Sequence, residues 1–260
     1  MNEIHELNID DLGEAFFEDL REGNFILVLG AGGSYGIPNK HGDKIPIGNA
    51  FADITKLRFN DDSSFSYSDA AQIWKNQIRK EPNLIEEFKD HFLVDESKFD
   101  YKFYSSIFIP KWYNIYTLNF DNVLEEAQKS STYKKLKSYA YPDDTSGGQE
   151  PSILHLHGSI DENTNLEKSL VFTPESYTDL GSKMHTLYSG LYGDVKTHNK
   201  KILILGSQFK EAVVLDKFFR ELPADKSVKI YHFDINSDNK NYDDFTERNT
   251  TFVSLNWRVS

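Results

Sequence analysis

Apolar positions along this 260-residue chain follow two rhythms. Short blocks run nearly unbroken: Phe25–Leu29 ("FILVL"), Asn114–Thr117, Ile153–Leu156, Ser169–Phe172, Lys201–Leu205 and Val228–Phe233, with Thr251–Val253 as the last. Such blocks predict short strands, and the most apolar of them predict burial on both faces. Between them apolar residues return every three or four positions, the spacing of one helix face. Residues 8–22 predict a helix with Ile9, Leu12, Phe16 and Leu20 on one side, Asn8 as its cap and Gly23 as its stop. Several amphipathic helices are predicted over 51–108, broken near "NDDSSFSYSD" and at Pro82. Further helices are predicted from near Asp121, from Thr173-Pro174 with Glu175 in the first turn, and over about 208–222. Residues 39–50 and 142–151 ("PDDTSGGQEP") are loops. Strands alternating with helices predict an α/β fold of Rossmann-like type, a mostly parallel sheet with helices on both faces. The length suits one large domain, with a helical module over about 45–110 inserted after the first glycine-rich turn.

In a parallel sheet the ligand sits beyond the carboxyl ends of the strands. Five of the predicted strands end in small or polar clusters: Gly30-Ala31-Gly32, Asn119-Phe120-Asp121, His157-Gly158-Ser159, Gly206-Ser207 and Asp234-Ile235-Asn236. If the strands are parallel, all five face one edge.

Read singly, each cluster has a plain alternative. Glycines behind a buried strand let backbone N–H groups approach a diphosphate, or they form only a tight turn. The dinucleotide fingerprint G-x-G-x-x-G is not met, because Tyr35 stands where a third glycine would fall and Gly36 comes one residue late. Asp53 has the spacing of the usual acidic residue but lies in a helical pattern, so a hydride-transferring dehydrogenase is disfavoured. Asn119 and Asp121 are suited to hold a carboxamide, a ribose hydroxyl or a water, but taken alone they read first as a cap for the helix that follows. His155 and His157 share one strand face. His157 before a glycine is a candidate general base, while H-x-H could bind a metal and His155 alone reads as a hydrogen-bonded structural residue.

Charge and composition narrow the function. A net charge of −12 argues against a general nucleic-acid surface, and an acidic chain that binds an anion must rely on N–H groups and helix N-termini. Cysteine is absent, which removes disulfides, cysteine catalysis and cysteine-ligated zinc. No apolar run approaches the roughly 20 residues of a membrane span, and the acidic start lacks a signal-peptide pattern, so a cytoplasmic protein is expected.

Taken in order, the clusters resemble the sirtuin family. The landmarks are Gly30-Ala31-Gly32-Gly33-Ser34 leading to Gly36-Ile37-Pro38, then Thr117-Leu118-Asn119-Phe120-Asp121, His157-Gly158, Gly206-Ser207 and Ile235-Asn236. The resemblance spans about residues 25–240 and implies one NAD-binding domain over 1–260. Three departures separate the chain from deacylase sirtuins. It has no four-cysteine zinc module, hence no zinc ribbon. Asn39-Lys40-His41 replaces the aromatic–Arg pair, and "LVFTPESY" (170–177) replaces the acyl-lysine segment. This version looks like the sirtuin-like effectors of bacterial anti-phage systems, which hydrolyse NAD.

The resemblance therefore implies an NAD glycohydrolase that releases nicotinamide and ADP-ribose, with NAD as substrate and no metal. Asn119 would order water or a ribose hydroxyl, and His157 would accept a proton. Asp121 would hold the carboxamide and add negative potential, and Thr117 would also bind NAD. The loop with Gly30, Ala31, Gly32 and Ser34, together with Gly206 and Ser207, would cradle the diphosphate, Ile37 and Pro38 would also belong to the NAD-binding set, and Asn236 would contact the adenosine ribose. Low resting activity is expected, with control by homo-oligomer assembly, a sensor or activator protein, a small nucleotide, or the remainder of a longer chain. The rival readings are an NAD-dependent deacylase without zinc, a non-catalytic nucleotide-binding module, and a metal hydrolase built on His155 and His157.

Overall fold

The computed structural model describes residues 4–8, 12–60, 66–133, 135–140, 150–161, 170, 173, 176, 184–207, 229–234 and 251–256. Among these, eight strands form one sheet: β1 (Ile4–Asn8), β2 (Phe25–Leu29), β3 (Trp112–Thr117), β4 (Lys137–Ala140), β5 (Ser152–His155), β6 (Lys201–Leu205), β7 (Lys229–Asp234) and β8 (Thr251–Asn256). Their order is β1-β8-β7-β6-β2-β3-β5-β4, and every pairing is parallel. The helices among the described residues are α1 (Glu14–Glu22), α2 (Asn49–Phe59), α3 (Tyr67–Lys80), α4 (Leu84–Asp90), α5 (Tyr101–Tyr104), α6 (Val123–Lys129) and α7 (Met184–His198).

All five residues of β2 are buried, which requires cover on both faces. Phe25, Leu27 and Leu29 join one core with Phe16 of α1 and Val123 and Leu124 of α6. Ile26 and Val28 point the other way. On that side α7 is tied to β3, where Asp194 accepts hydrogen bonds of 2.7 Å from both Tyr116 and Asn114. The Rossmann-like α/β class expected from the alternating blocks is the class observed.

Two strands escape local sequence patterns. The first helix begins at Glu14, not at residue 8, and Ile4–Asn8 forms β1 instead, with Asn8 ending the strand. Among the described residues it pairs with β8, about 250 residues away (Ile4 opposite Phe252), so no local rhythm announces it. The edge strand β4 reads "KSYA" and is half open to solvent, so it carries no apolar block. Gly23 does stop α1, in the left-handed conformation at φ 79°. The strand expected at Ser169–Phe172 and the helices expected at 173 onward and 208–222 fall wholly or mostly outside the described residues.

The chain between β2 and β3 is largely helical. Its centre is aromatic: Phe51, Trp74, Phe88 and Phe92 lie within 5.2–6.0 Å of one another in successive ring pairs. Trp74 Nε1 donates to Thr55 Oγ1 at 3.0 Å, which satisfies its one polar atom. Phe92 then packs at 4.7 Å on Phe120, just past β3, and the Val94 N–H bonds Asn122 at 2.8 Å. These two contacts seat the helical stretch against the carboxyl edge of the sheet.

Candidate active site

The sheet's chain order reverses at β2, with β3 on one side and β6 on the other. Crevices at such points bind ligands in open α/β sheets. The turns after β2 and β6 cross there. Gly30 N–H donates to Leu205 O at 2.9 Å, and Gly32 N–H donates to Gly206 O at 2.7 Å. A Cβ on Gly32 would lie 2.8 Å from the Gly206 backbone, and one on Gly206 would lie 2.4 Å from Gly33 N. Gly206 also sits at φ +68°. The glycines thus permit backbone to lie on backbone. Gly33 N–H donates to Gly30 O at 2.9 Å, so any cradling of phosphate falls to other N–H groups of the loop. Ser207 O is held at 2.7 Å by the buried His232 of β7.

Ala31–Ser34 form a 3₁₀ turn that buries Ser34. Asn119 Nδ2 donates to Ser34 Oγ at 3.0 Å and to Gly30 O at 3.1 Å. Ser34 Oγ donates in turn to Asp121 Oδ2 at 2.6 Å. Both amide hydrogens of Asn119 are thereby used, which leaves its Oδ1 as the acceptor for a water or hydroxyl. The Asn119 N–H donates to Thr117 Oγ1 at 3.0 Å, and Asp121 Oδ1 accepts the Val123 N–H at 3.1 Å, so Asp121 also serves as a cap for α6. Burial raises the Asp121 pKa to about 6, against the opposing pull of Ser34, Val123 N–H and His155.

His155, the last residue of β5, and His157, two residues beyond it, differ. His155 Nδ1 lies 3.0 Å from Asn119 O and its Nε2 lies 2.8 Å from Glu125 Oε1. Both partners only accept, so both ring nitrogens carry protons and His155 is an imidazolium paired with Glu125. Burial opposes that charge, but Glu125 and the Asn119 carbonyl outweigh it and the pKa is raised. No lone pair is left for a metal, which removes the H-x-H metal reading. His157, in the turn after β5, bonds the Leu118 backbone, and burial lowers its pKa to about 4, so it is neutral at pH 7.

Removing the Glu125 charge should cost about 3 kcal/mol, the low end for breaking a buried ion pair. Urea denaturation of Glu125→Gln measures this. A raised histidine pKa stabilises below the unfolded value of about 6.5. The gap between wild type and variant should therefore narrow as pH rises through the folded pKa of His155.

Ala31, Leu118, Asn119, Phe120, Asp121 and His157 line one cavity, closed by Ile45–Gly48, Tyr67 and Phe92. The catalytic candidates Asn119 and His157 therefore share a space. Ser34 lies behind it, bonded to two lining residues, and Gly206-Ser207 pack on the glycine loop. Thr117 and Ile37 are buried and Pro38 bridges to Lys44, none of them in the lining. Asn236 lies outside the described residues. The wall from Ile45 to Gly48, with Tyr67 and Phe92, gives no chemical signal in the sequence; only "PIG" at 46–48 marks a turn. Glu125 stands four residues after Asp121, one helical turn on.

Comparison with protein families gives a match to the SIR2-like domain over residues 114–250. A search of curated proteins finds no match. The matched span contains Asn119, Asp121, Glu125, His155, His157 and Gly206-Ser207 and exceeds half of the 260 residues, and the chain belongs to the SIR2-like domain family.

Proposed function

We propose that the chain is an NAD glycohydrolase, cleaving the nicotinamide–ribose bond with water to give nicotinamide, ADP-ribose and a proton. SIR2-like domains use NAD and are usually NAD-dependent enzymes. The observation that carries the finer reading is the single cavity holding Asn119, Asp121 and His157, with Ser34 tying the first two to the glycine loop.

Nicotinamide leaves neutral, so the leaving group needs no acid. The ribose carbon passes through an oxocarbenium-like state whose positive charge must be met. Asp121, ionised above about pH 6 and held by Ser34, supplies negative potential and an acceptor for the carboxamide. Asn119 Oδ1 orders the water or a ribose hydroxyl. Neutral His157 takes the proton that the water or hydroxyl releases. The cavity's volume of about 50 Å³ holds a water or two. A nicotinamide ring needs more room than this, and Ile45–Gly48 is a stretch of wall outside helix and strand.

The pH dependence has a definite sign. A carboxyl with a pKa of about 6 is protonated below that value. kcat/KM should fall tenfold per pH unit below about 6, and the limb should vanish in Asp121→Asn. A pH–rate profile from pH 5 to 8 checks this; His157, with its pKa of about 4, adds no limb there.

Within this proposal the chain is one NAD-binding domain carrying the helical module, acting in the cytoplasm as an NAD-depleting anti-phage effector. Its activity is restrained until homo-oligomer assembly or a sensor protein releases it. Among the described residues no helix is long and apolar enough to cross a membrane. The deciding experiment incubates the purified chain with NAD, alone and with an acetyl-lysine peptide, and separates the products by chromatography. Equal nicotinamide and ADP-ribose without peptide supports the proposal. Release only with peptide would make the chain a deacylase, and bound but unchanged NAD would make it a binding module.

A further inference from the structure

On the helical module, apart from the residues lining the NAD cavity, we propose a divalent transition-metal site, of the class that binds zinc, formed by His41, Glu87 and His91. One ligand atom from each side chain lies within 4.8 Å of the other two. His91 is 2% exposed, and its Nδ1 has no hydrogen-bond partner among the described residues. Leaving a buried ring nitrogen without a partner is unfavourable. A metal ion bound there would remove that cost.

The surroundings are built to hold these side chains. Asn39 is fully buried, and its Nδ2 donates to His91 O at 3.0 Å and to Lys44 O at 2.9 Å. Its Oδ1 accepts the Asp43 N–H at 2.9 Å. His41 N–H donates to Asp90 O at 3.1 Å, and Lys40 N–H to Leu93 O at 2.8 Å. The 39–44 loop is therefore pinned to the carboxyl end of α4, and the two imidazoles lie with centroids 4.1 Å apart.

The donor chemistry fits. Asp43 Oδ2 lies 3.3 Å from His41 Nδ1, the carboxylate partner that metal-bound histidines usually have, and this places the free lone pair on Nε2. Burial, followed by the neighbouring His41, lowers the His91 pKa to about 4, so its ring is neutral and able to ligate at pH 7. Glu87 is bound through both oxygens to Arg58, and a carboxylate offers about four lone-pair sites, so capacity remains. Two imidazoles, one carboxylate and a water make a tetrahedral set. With metal–ligand bonds of about 2.1 Å, ligand atoms stand about 3.4 Å apart, so no pair has to close by more than about 1.4 Å. The partly exposed His41 side chain can supply that movement by rotating on its pinned backbone.

The test uses the tag-free chain, freed of metal by chelator dialysis, and zinc chloride as the probe in calorimetry. One equivalent of zinc should bind and raise Tm. His41→Ala should abolish that binding, and Asp43→Ala should weaken it by about 10–100-fold. Cobalt(II) gives a second readout: the Trp74 ring is 5.9 Å from His91, so its fluorescence should be quenched in wild type and not in His41→Ala. Zinc that binds wild type and His41→Ala equally, or that binds neither in a saturable way, overturns the proposal.

Discussion

Asn119→Ala is expected to lower nicotinamide release from NAD by at least about 100-fold while the protein still folds. Two losses combine. The Oδ1 acceptor that orders the reacting water or hydroxyl disappears, and positioned groups of this kind contribute about 10²–10⁴-fold. The Nδ2 bonds to Ser34 and Gly30 O also disappear, which loosens the Ser34–Asp121 contact. Each net hydrogen bond is worth about 1 kcal/mol, so stability should fall by about 2 kcal/mol. In a chain of this size that moves Tm by roughly 4–8 °C. Initial rates by chromatography, with a thermal melt on the same sample, separate the effects. His157→Ala should show a comparable rate loss. Turnover at the wild-type rate in both variants would remove these residues from the mechanism.

Gly206→Ala is expected to have the largest effect on folding, because its Cβ would meet backbone on the opposite turn. Gly33 N would lie 2.4 Å away and Gly32 C 2.7 Å away. Neither can rotate aside as a side-chain tip could. The φ of +68° adds strain for any residue with a Cβ. Strain of about 1–3 kcal/mol and overpacking of similar size sum to roughly 2–6 kcal/mol, enough to threaten a marginally stable domain. A fall in soluble yield and in Tm measures it. Gly193→Ala, in α7 with nothing within 4 Å of the added carbon, is the control and should leave Tm unchanged or higher. Equal behaviour of the two variants would show that the crossing of the two turns is not tight.

Several of the sequence motifs have two kinds of work. Ser34, Asn119 and Asp121 stand 85 and 87 residues apart in their bonded pairs, yet form one relay. The same Asp121 caps α6 through Val123 N–H, so the cap and ligand readings are both present in one side chain. The glycine loop reads as a phosphate cradle, but three of its N–H groups bond within the protein. His155 and His157 look equivalent on paper. Glu125 holds the first as a buried cation, and burial leaves the second a neutral ring.

By itself the sequence determined the α/β class, the positions of β2, β3, β5, β6 and β7 to within two residues, the breaks between the helices, and the order of the chemical clusters. These are local properties, set by residue periodicity and by the backbone freedom of glycine and proline. Only the tertiary structure decided that β1 pairs with β8, that a polar tetrapeptide is the edge strand β4, and that Ile45–Gly48 and Phe92 wall the cavity. It also decided the charges of the two histidines and brought His41 to Glu87 and His91. Those outcomes depend on which distant groups share a desolvated space, and separation along the chain carries no record of that.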